Sequence, residues 1–280
     1  RANGKPQTQN VRIDIIVDGV NDGKAWSCGL EFDYANEESF YCRPLRLNDT
    51  KQPQRMAIPL EAADSRCAFL PPMSGLTDRE FLKQPGEIGF LIGQGETAQV
   101  LRNLCYQLHS QSGGQAGWSE VCAHIQSLFG VELQPPKLLE RSEITLSYRD
   151  AESTLLDLSC AGRGLQQTLL LLAHLYINPK TILLLDEPDA HLEVLRQRQT
   201  YELLTNVALR QGSQIIAASH SEIVLNEAAN RDVVIAFVGP PHRIDDRGQQ
   251  VLKALTDIGF DQYYQAELTG WALYLEGSTD

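Results

Sequence analysis

Four aliphatic residues, Ile182-Leu183-Leu184-Leu185, run directly into Asp186-Glu187-Pro188. A run that short and apolar, closed by two acids and a proline, has the pattern of a buried strand, and strands buried on both faces belong to parallel sheets covered by helices. The sequence on either side agrees. Leu165–Tyr176 reads as an apolar helix ending at Asn178-Pro179, and Thr181–Leu185 as the strand. His191–Arg210 reads as a long helix with Leu192, Leu195, Leu203 and Val207 on its apolar side. Gln214–Ala218 follows as a strand, Glu222–Ala229 as a helix and Asp232–Val238 as a strand. Strands alternating with helices imply an α/β domain with a parallel-sheet core and flanking helices.

The earlier parts of the chain differ. Val11–Val17, Trp26–Tyr34 and Ser39–Leu45 are β-branched or aromatic and partly alternating, so residues 1–95 read as β-rich, with a further short strand at Arg66–Leu70 before Pro71-Pro72. Residues 96–141 read as a helical subdomain. Val100, Leu101, Leu104, Cys105 and Leu108 form one stripe, and Trp118–Phe129 forms a second helix stopped by Gly130. A strand at Ile144–Tyr148 opens the remaining core, residues 142–260.

Composition removes several classes. No apolar run approaches the length that spans a bilayer, and residues 1–10 are polar, without the apolar centre of a signal peptide. The six cysteines occur singly, which implies reduced thiols and a cytoplasmic setting. A net charge of −12 argues against a nonspecific nucleic-acid coat protein, which needs clustered Lys and Arg.

Three elements carry chemistry. Ligands of open α/β sheets bind at the carboxyl ends of strands, where Asp186 and Glu187 emerge. Asp186 supplies the hard oxygen that Mg²⁺ prefers, and Glu187 is placed to orient or deprotonate an attacking water. Leu158-Ser159-Cys160-Ala161-Gly162-Arg163-Gly164-Leu165-Gln166-Gln167 precedes an apolar helix. Its Ser159 hydroxyl, Gly162 and Gly164 (which let backbone N–H groups approach closely), Gln166 and the helix N-terminus suit an anion such as phosphate. His220, in Ala218-Ser219-His220-Ser221, ends the next apolar strand and can hydrogen-bond a γ-phosphate or the attacking water, while Ser219 or Ser221 caps the following helix. Each element alone also fits a plainer role: a solvated strand end, a capped glycine loop, a capping histidine.

Their order is more specific. Serine-glycine loop, apolar helix, Asp-Glu-Pro strand, amphipathic helix, strand and histidine together resemble the second half of an ATP-binding-cassette ATPase, over about Ser142 to Gly239. The chain is most similar there to the overcoming-lysogenization-defect (OLD) family and the SMC-like ATPases. The resemblance makes Asp186-Glu187 a Walker B end, Leu158–Gln167 a signature motif that reads the γ-phosphate of ATP on the opposite subunit, and His220 the switch histidine. It makes Asp189–Glu193 the loop that crosses a dimer interface. It implies ATP and Mg²⁺ as ligands, a homodimer or higher homo-oligomer, DNA as a partner of the parent protein, and no membrane. The signature departs from Leu-Ser-Gly-Gly-Gln in Cys160-Ala161 and in the added Arg163. No G-x-x-x-x-G-K-[ST] occurs, and Gly4-Lys5-Pro6 lacks both the hydroxyl and the earlier glycine. The resemblance therefore implies a Walker A loop upstream, in a longer parent polypeptide, and an isolated chain that is inactive. Gln94 is a candidate metal-sensing glutamine, and equally a polar loop residue. Trp271–Asp280 resembles the opening strand of a Toprim nuclease domain, which implies a metal-site role for Glu276. Two rivals remain at this point: a transporter-type ATPase subunit, disfavoured by the signature, and a non-hydrolysing ATP-gated DNA clamp, disfavoured by Glu187.

Overall fold

The computed structural model describes residues 11–21, 23–36, 39–50, 52–111, 113–229, 231–237 and 241–244. They fall into two compact units divided between Arg66 and Cys67. That boundary lies well before residue 95, the limit expected for the β-rich part. The segment after Arg66 joins the second unit because its strand pairs there.

In the first unit, β1 (Val11–Asn21), β2 (Lys24–Asn36) and β3 (Ser39–Pro44) form an antiparallel sheet in that order, followed by the short helix α1 (Leu60–Ala63). The register sets Asp14 opposite Glu31 and Glu31 opposite Arg43. Glu31 is fully buried, and its carboxylate accepts two hydrogen bonds from the Arg46 guanidinium, at 2.6 and 2.7 Å. Arg12 and Arg55 stand 3.6 and 3.7 Å away. These bonds outweigh burial and hold the Glu31 carboxyl at about 2, against an ordinary 4.5.

The second unit opens with β4 (Cys67–Leu70), β5 (Glu80–Phe81), α2 (Pro85–Gly93), α3 (Leu101–Ser110) and α4 (Gly114–Phe129). Gly130, at φ 69°, caps α4 in the left-handed conformation that glycine adopts without a Cβ penalty. Short strands follow: β6 (Glu132–Leu133), β7 (Lys137–Leu138), β8 (Glu143–Thr145), β9 (Ser147–Arg149) and β10 (Leu155–Asp157). Then come α5 (Arg163–Ile177), β11 (Ile182–Asp186), α6 (Val194–Gln211), β12 (Gln214–Ala218), α7 (Glu222–Ala229), β13 (Ile235–Ala236) and β14 (His242–Arg243). The chain is thus α/β, as the alternation implies.

The sheet that positions the site has the order β12-β11-β4, with all three strands parallel. Leu183 and Leu185 of β11 face a core built from α5, where Leu169, Leu170, Leu172 and Ala173 are fully buried, and from Leu204, Val207 and Ala208 of α6. Burying a leucine side chain contributes about 1.5–3 kcal/mol, so α5 anchors this face. The opposite face is open among the described residues: Leu184 sits between Ile216 and Phe69, which are 62% and 43% exposed. The strand expected to be buried on both faces is therefore buried on one.

Four readings change. Helix α2 lies in the part read as β-rich. Ile144–Tyr148, read as one strand, divides at buried Leu146, and β8 pairs with β5 and β7 while β9 pairs with β6 and β10. Helix α6 starts at Val194 rather than His191, because His191 is left-handed and Glu193 is extended. The strand expected at Asp232–Val238 is only Ile235–Ala236, which pairs antiparallel with β14 and does not join the parallel sheet.

Candidate functional site

Asp186 ends β11, and its parallel partner in β12 is Ala218. The ladder runs one step further, where the Glu187 N–H donates to the Ala218 carbonyl at 2.8 Å. Side chains alternate along a strand, so Asp186 leaves on the open face with Leu184. Glu187 is left-handed at φ 43°, which bends the chain sharply after the acids, and the Ala190 N–H closes the turn on the Glu187 carbonyl at 3.0 Å. Pro188 is buried beneath it.

His220 follows β12 on the same sheet edge. Its Nε2 lies 3.7 Å from Glu187 Oε1, and its side chain is 93% exposed, leaving the ring open to an incoming ligand. The flanking serines fix the loop. Ser219 Oγ donates to Asp189 Oδ1 at 2.5 Å, tying the β12–α7 loop to the β11–α6 loop. Ser221 Oγ accepts the N–H groups of Ile223 and Val224, both at 3.2 Å, so Ser221 is the cap of α7. Two adjacent strands therefore bring Glu187 and an imidazole together at their carboxyl ends, with Asp186 one residue before Glu187.

The Ser159 loop is a one-turn 3₁₀ segment, Leu158–Cys160, between β10 and α5. Ser159 is exposed, and its N–H donates to Asp157 Oδ1 at 2.9 Å. The buried Arg102 guanidinium holds the same carboxylate at 3.1 Å. Burial pushes the Asp157 carboxyl up, but the bonds from Ser159 and Arg102 outweigh it and hold it below the usual range. Gly162 caps α5 in extended geometry, in open space. A Cβ on Gly164 would stand 3.1 Å from the His191 carbonyl, so this glycine admits the β11–α6 loop against the first turn of α5.

Gln166 points away from solvent. It is 5% exposed, and its Nε2 donates to the carbonyls of Ala161 and Leu158 at 3.0 and 3.3 Å. Gln166, expected to meet a ligand, thus holds the Leu158–Ala161 backbone through its amide nitrogen. Gln94 is an exposed C-cap residue of α2. Glu276 and the Trp271–Asp280 run lie outside the described residues.

Pattern reading missed the segment after β4. The parallel pairing of β4 with β11 carries Pro71–Gly75 to the sheet edge that bears Asp186, and only that long-range pairing reveals it. Met73 is buried there between Gln167 of α5 and His191.

Residues 134–226 match the family described as "AAA domain, putative AbiEii toxin, Type IV TA system". The matched stretch is about a third of the chain and contains Ser159, Asp186, Glu187 and His220. No curated protein matches the chain. Among solved structures, it is similar to the SMC head domain from Thermotoga maritima, with 19% identity, a TM-score of 0.44, and coverage of 86% of this chain and 76% of that one. It is also similar to the Smc head domain with a coiled coil and joint from Pyrococcus yayanosii, with 16% identity, a TM-score of 0.40, and coverage of 62% of this chain and 32% of that one. A third is the Smc head domain with an extended coiled coil, bound to the C-terminal domain of ScpA, from Pyrococcus furiosus: 16% identity, a TM-score of 0.38, and coverage of 51% of this chain and 38% of that one. The chain thus spans about a third of the length of the first two Pyrococcus structures. Among the described residues, no helix is long and apolar enough to cross a membrane.

Proposed function

We propose that the chain is the Walker B, signature and switch-histidine half of an ATP-binding and hydrolysing module whose catalytic sites are completed between two copies. The observation that carries this reading is the shared strand edge, where Asp186 and Glu187 close β11 and His220, at the end of β12, faces Glu187 at 3.7 Å. A solvated strand end needs no such convergence of base and imidazole on one edge of a parallel sheet.

The donor set fits one Mg²⁺. Asp186 offers one exposed hard-oxygen carboxylate. That is the chemistry of an ion held by one or two carboxylates together with the phosphates it accompanies. When bound, Mg²⁺ neutralises charge on the phosphates. Glu187 orients or deprotonates the attacking water, and His220 donates to the γ-phosphate or holds the water against it. The first turn of α5 carries no acidic residue, and the Asp157 carboxylate next to Ser159 is held by the Ser159 N–H and by Arg102, which suits Ser159 and this helix end to reading a γ-phosphate on the facing copy.

The finer reading is an OLD-like, DNA-directed nuclease, in which closure of the ATP sandwich controls an attached Toprim domain. Its support is the sequence: the Cys160-Ala161 and Arg163 departures from the transporter-type signature, and the Glu276-bearing run. Glu187 favours turnover over a clamp that only binds nucleotide.

The test is Glu187→Gln in the parent polypeptide that supplies a Walker A loop. With the metal ligand kept and the base removed, ATP binding should outlast chemistry. Light scattering after size exclusion should show an ATP-dependent dimer that persists longer than that of the wild type. A variant that stays monomeric, or releases ATP as fast as the wild type, would overturn the role given to Glu187.

A further inference from the structure

Met73 is held from both sides. Its N–H donates to Gln167 Oε1 at 2.7 Å, and its carbonyl lies 3.3 Å from His191 Nε2, which must carry the proton to bond it. Gln167 sits in the first turns of α5, beside Gln166, which shapes the Ser159 loop. His191 sits in the loop after the acids, at φ 63°. A left-handed histidine persists only where its surroundings fix it, and here three contacts do so. They are the Met73 carbonyl, the close approach of Gly164 to the His191 backbone, and the Leu192 N–H bonded to the Asp189 carbonyl at 3.2 Å. Gln167 is fully buried, yet its Nε2 has no partner. A buried amide with one end unpaired is costly, and its other end is committed to Met73.

We propose that Met73 is a junction locking the signature-type loop to the acid-bearing loop within one chain, with Gln167 and His191 as positioning residues for hydrolysis. Its consequence for turnover rests on the ATPase reading above. In a sandwich, a chain's Ser159 serves one composite site and its Glu187 the other. A rigid link between these loops inside the chain lets each site register the occupancy of its partner. Gln167 and His191 act through the Met73 backbone.

Amide hydrogen exchange on this chain tests the junction without any activity. Gln167→Met removes the acceptor with little change in volume. Exchange should quicken about tenfold at residues 73–75 and also at 190–192, which Gln167 does not touch. The exposed His191→Ala should in turn quicken 73–75 and the amides that open α5, and it decides the matter if the Gln167 variant does not fold. Changes confined to each variant's own element would overturn the junction.

In the parent, each variant should lower kcat by about tenfold, with KM for ATP within about twofold. The double variant should be no slower than the slower single one, and His191→Gln, which keeps a donor, should recover the rate. Independent, multiplicative losses would also overturn the proposal. If the wild-type parent hydrolyses no ATP, the ATPase reading fails, and the exchange result still decides whether the junction exists.

Discussion

Replacing Gln166 by methionine separates a loop-shaping residue from a ligand. Methionine matches glutamine in length and volume, so packing in the 5%-exposed site is largely preserved. What is lost is the amide N–H pair. The Leu158 carbonyl keeps the Ala161 N–H at 3.0 Å, so the loss falls mainly on the Ala161 carbonyl. A buried carbonyl left without its donor costs about 1–2 kcal/mol. For a unit of this size each kcal/mol lowers Tm by about 2–4 °C, so the melting temperature should drop by about 2–8 °C. Differential scanning calorimetry of this chain would read that shift, and hydrogen exchange should quicken at 158–162, the backbone that Gln166 holds. An unchanged Tm, together with weaker nucleotide binding in the parent, would refute the loop-shaping role and return Gln166 to the ligand.

Two further outcomes are expected. The isolated chain should hydrolyse ATP no faster than its Glu187→Gln variant, because no Walker A backbone and lysine hold the β- and γ-phosphates; phosphate release well above that control would contradict it. Acid should weaken the two units in different windows. Burial holds the His174 imidazole at about 4 against an ordinary 6.5, so the stability gained from keeping it neutral is present above pH 6.5 and is lost as pH falls toward 4. Glu31, held at about 2 by Arg46, gives stability that is present above pH 4.5 and lost as pH falls toward 2. Denaturant midpoints against pH should show both steps, with His174→Leu removing the first and Glu31→Gln the second; a step that survives its own variant would remove its assignment.

What the sequence discloses follows the range of the interaction. Strand β12 and helix α7 have the bounds the pattern gives, and β11 is displaced by one residue, because each is specified by its own apolar run and local stops. Asp186, Glu187 and His220 were legible as strand-end residues for the same reason. The pairing of β4 with β11 was not, since Cys67–Leu70 has a strand pattern but no local mark of its partner, and so Met73 stayed hidden. Helix α2 did carry its signals, Pro85 at the first turn and Glu87 behind it, but Gly86, Gly89 and Gly93 lower its intrinsic propensity. The start of α6 is set by tertiary contacts on His191 and Gly164, which no periodicity reports. Gln166 and Gly164 were picked out because a signature motif contains them, yet composition does not tell a residue that meets an anion from one that shapes the loop around it.

The sharpest separation between a sandwich and a single-chain nucleotide site comes from Ser159. Its hydroxyl is exposed, its N–H is committed to Asp157, and the α5 N-terminus behind it has no acidic residue in its first turn. Such an end attracts an anion from outside, while the neighbouring Asp157 carboxylate is tied to the Ser159 N–H and Arg102. Ser159→Arg would fill that approach with a bulky side chain while leaving Asp186, Glu187 and His220 on their own strands. In the parent it should spare ATP binding by each subunit and abolish hydrolysis. Mixed with Glu187→Gln subunits, it should recover activity. In each heterodimer one composite site takes the altered Ser159 and the altered Glu187 together, while the other takes neither. At random mixing about half of the dimers are heterodimers with one intact site each, so the recovered rate should approach about a quarter of the wild-type rate per subunit. Rate against mixing ratio, with heterodimers counted by differential tags, makes the measurement. If heterodimers form and no activity returns, Ser159 and Glu187 serve the same site within one chain or the two sites fire only together, and independent composite sites between two copies must be abandoned.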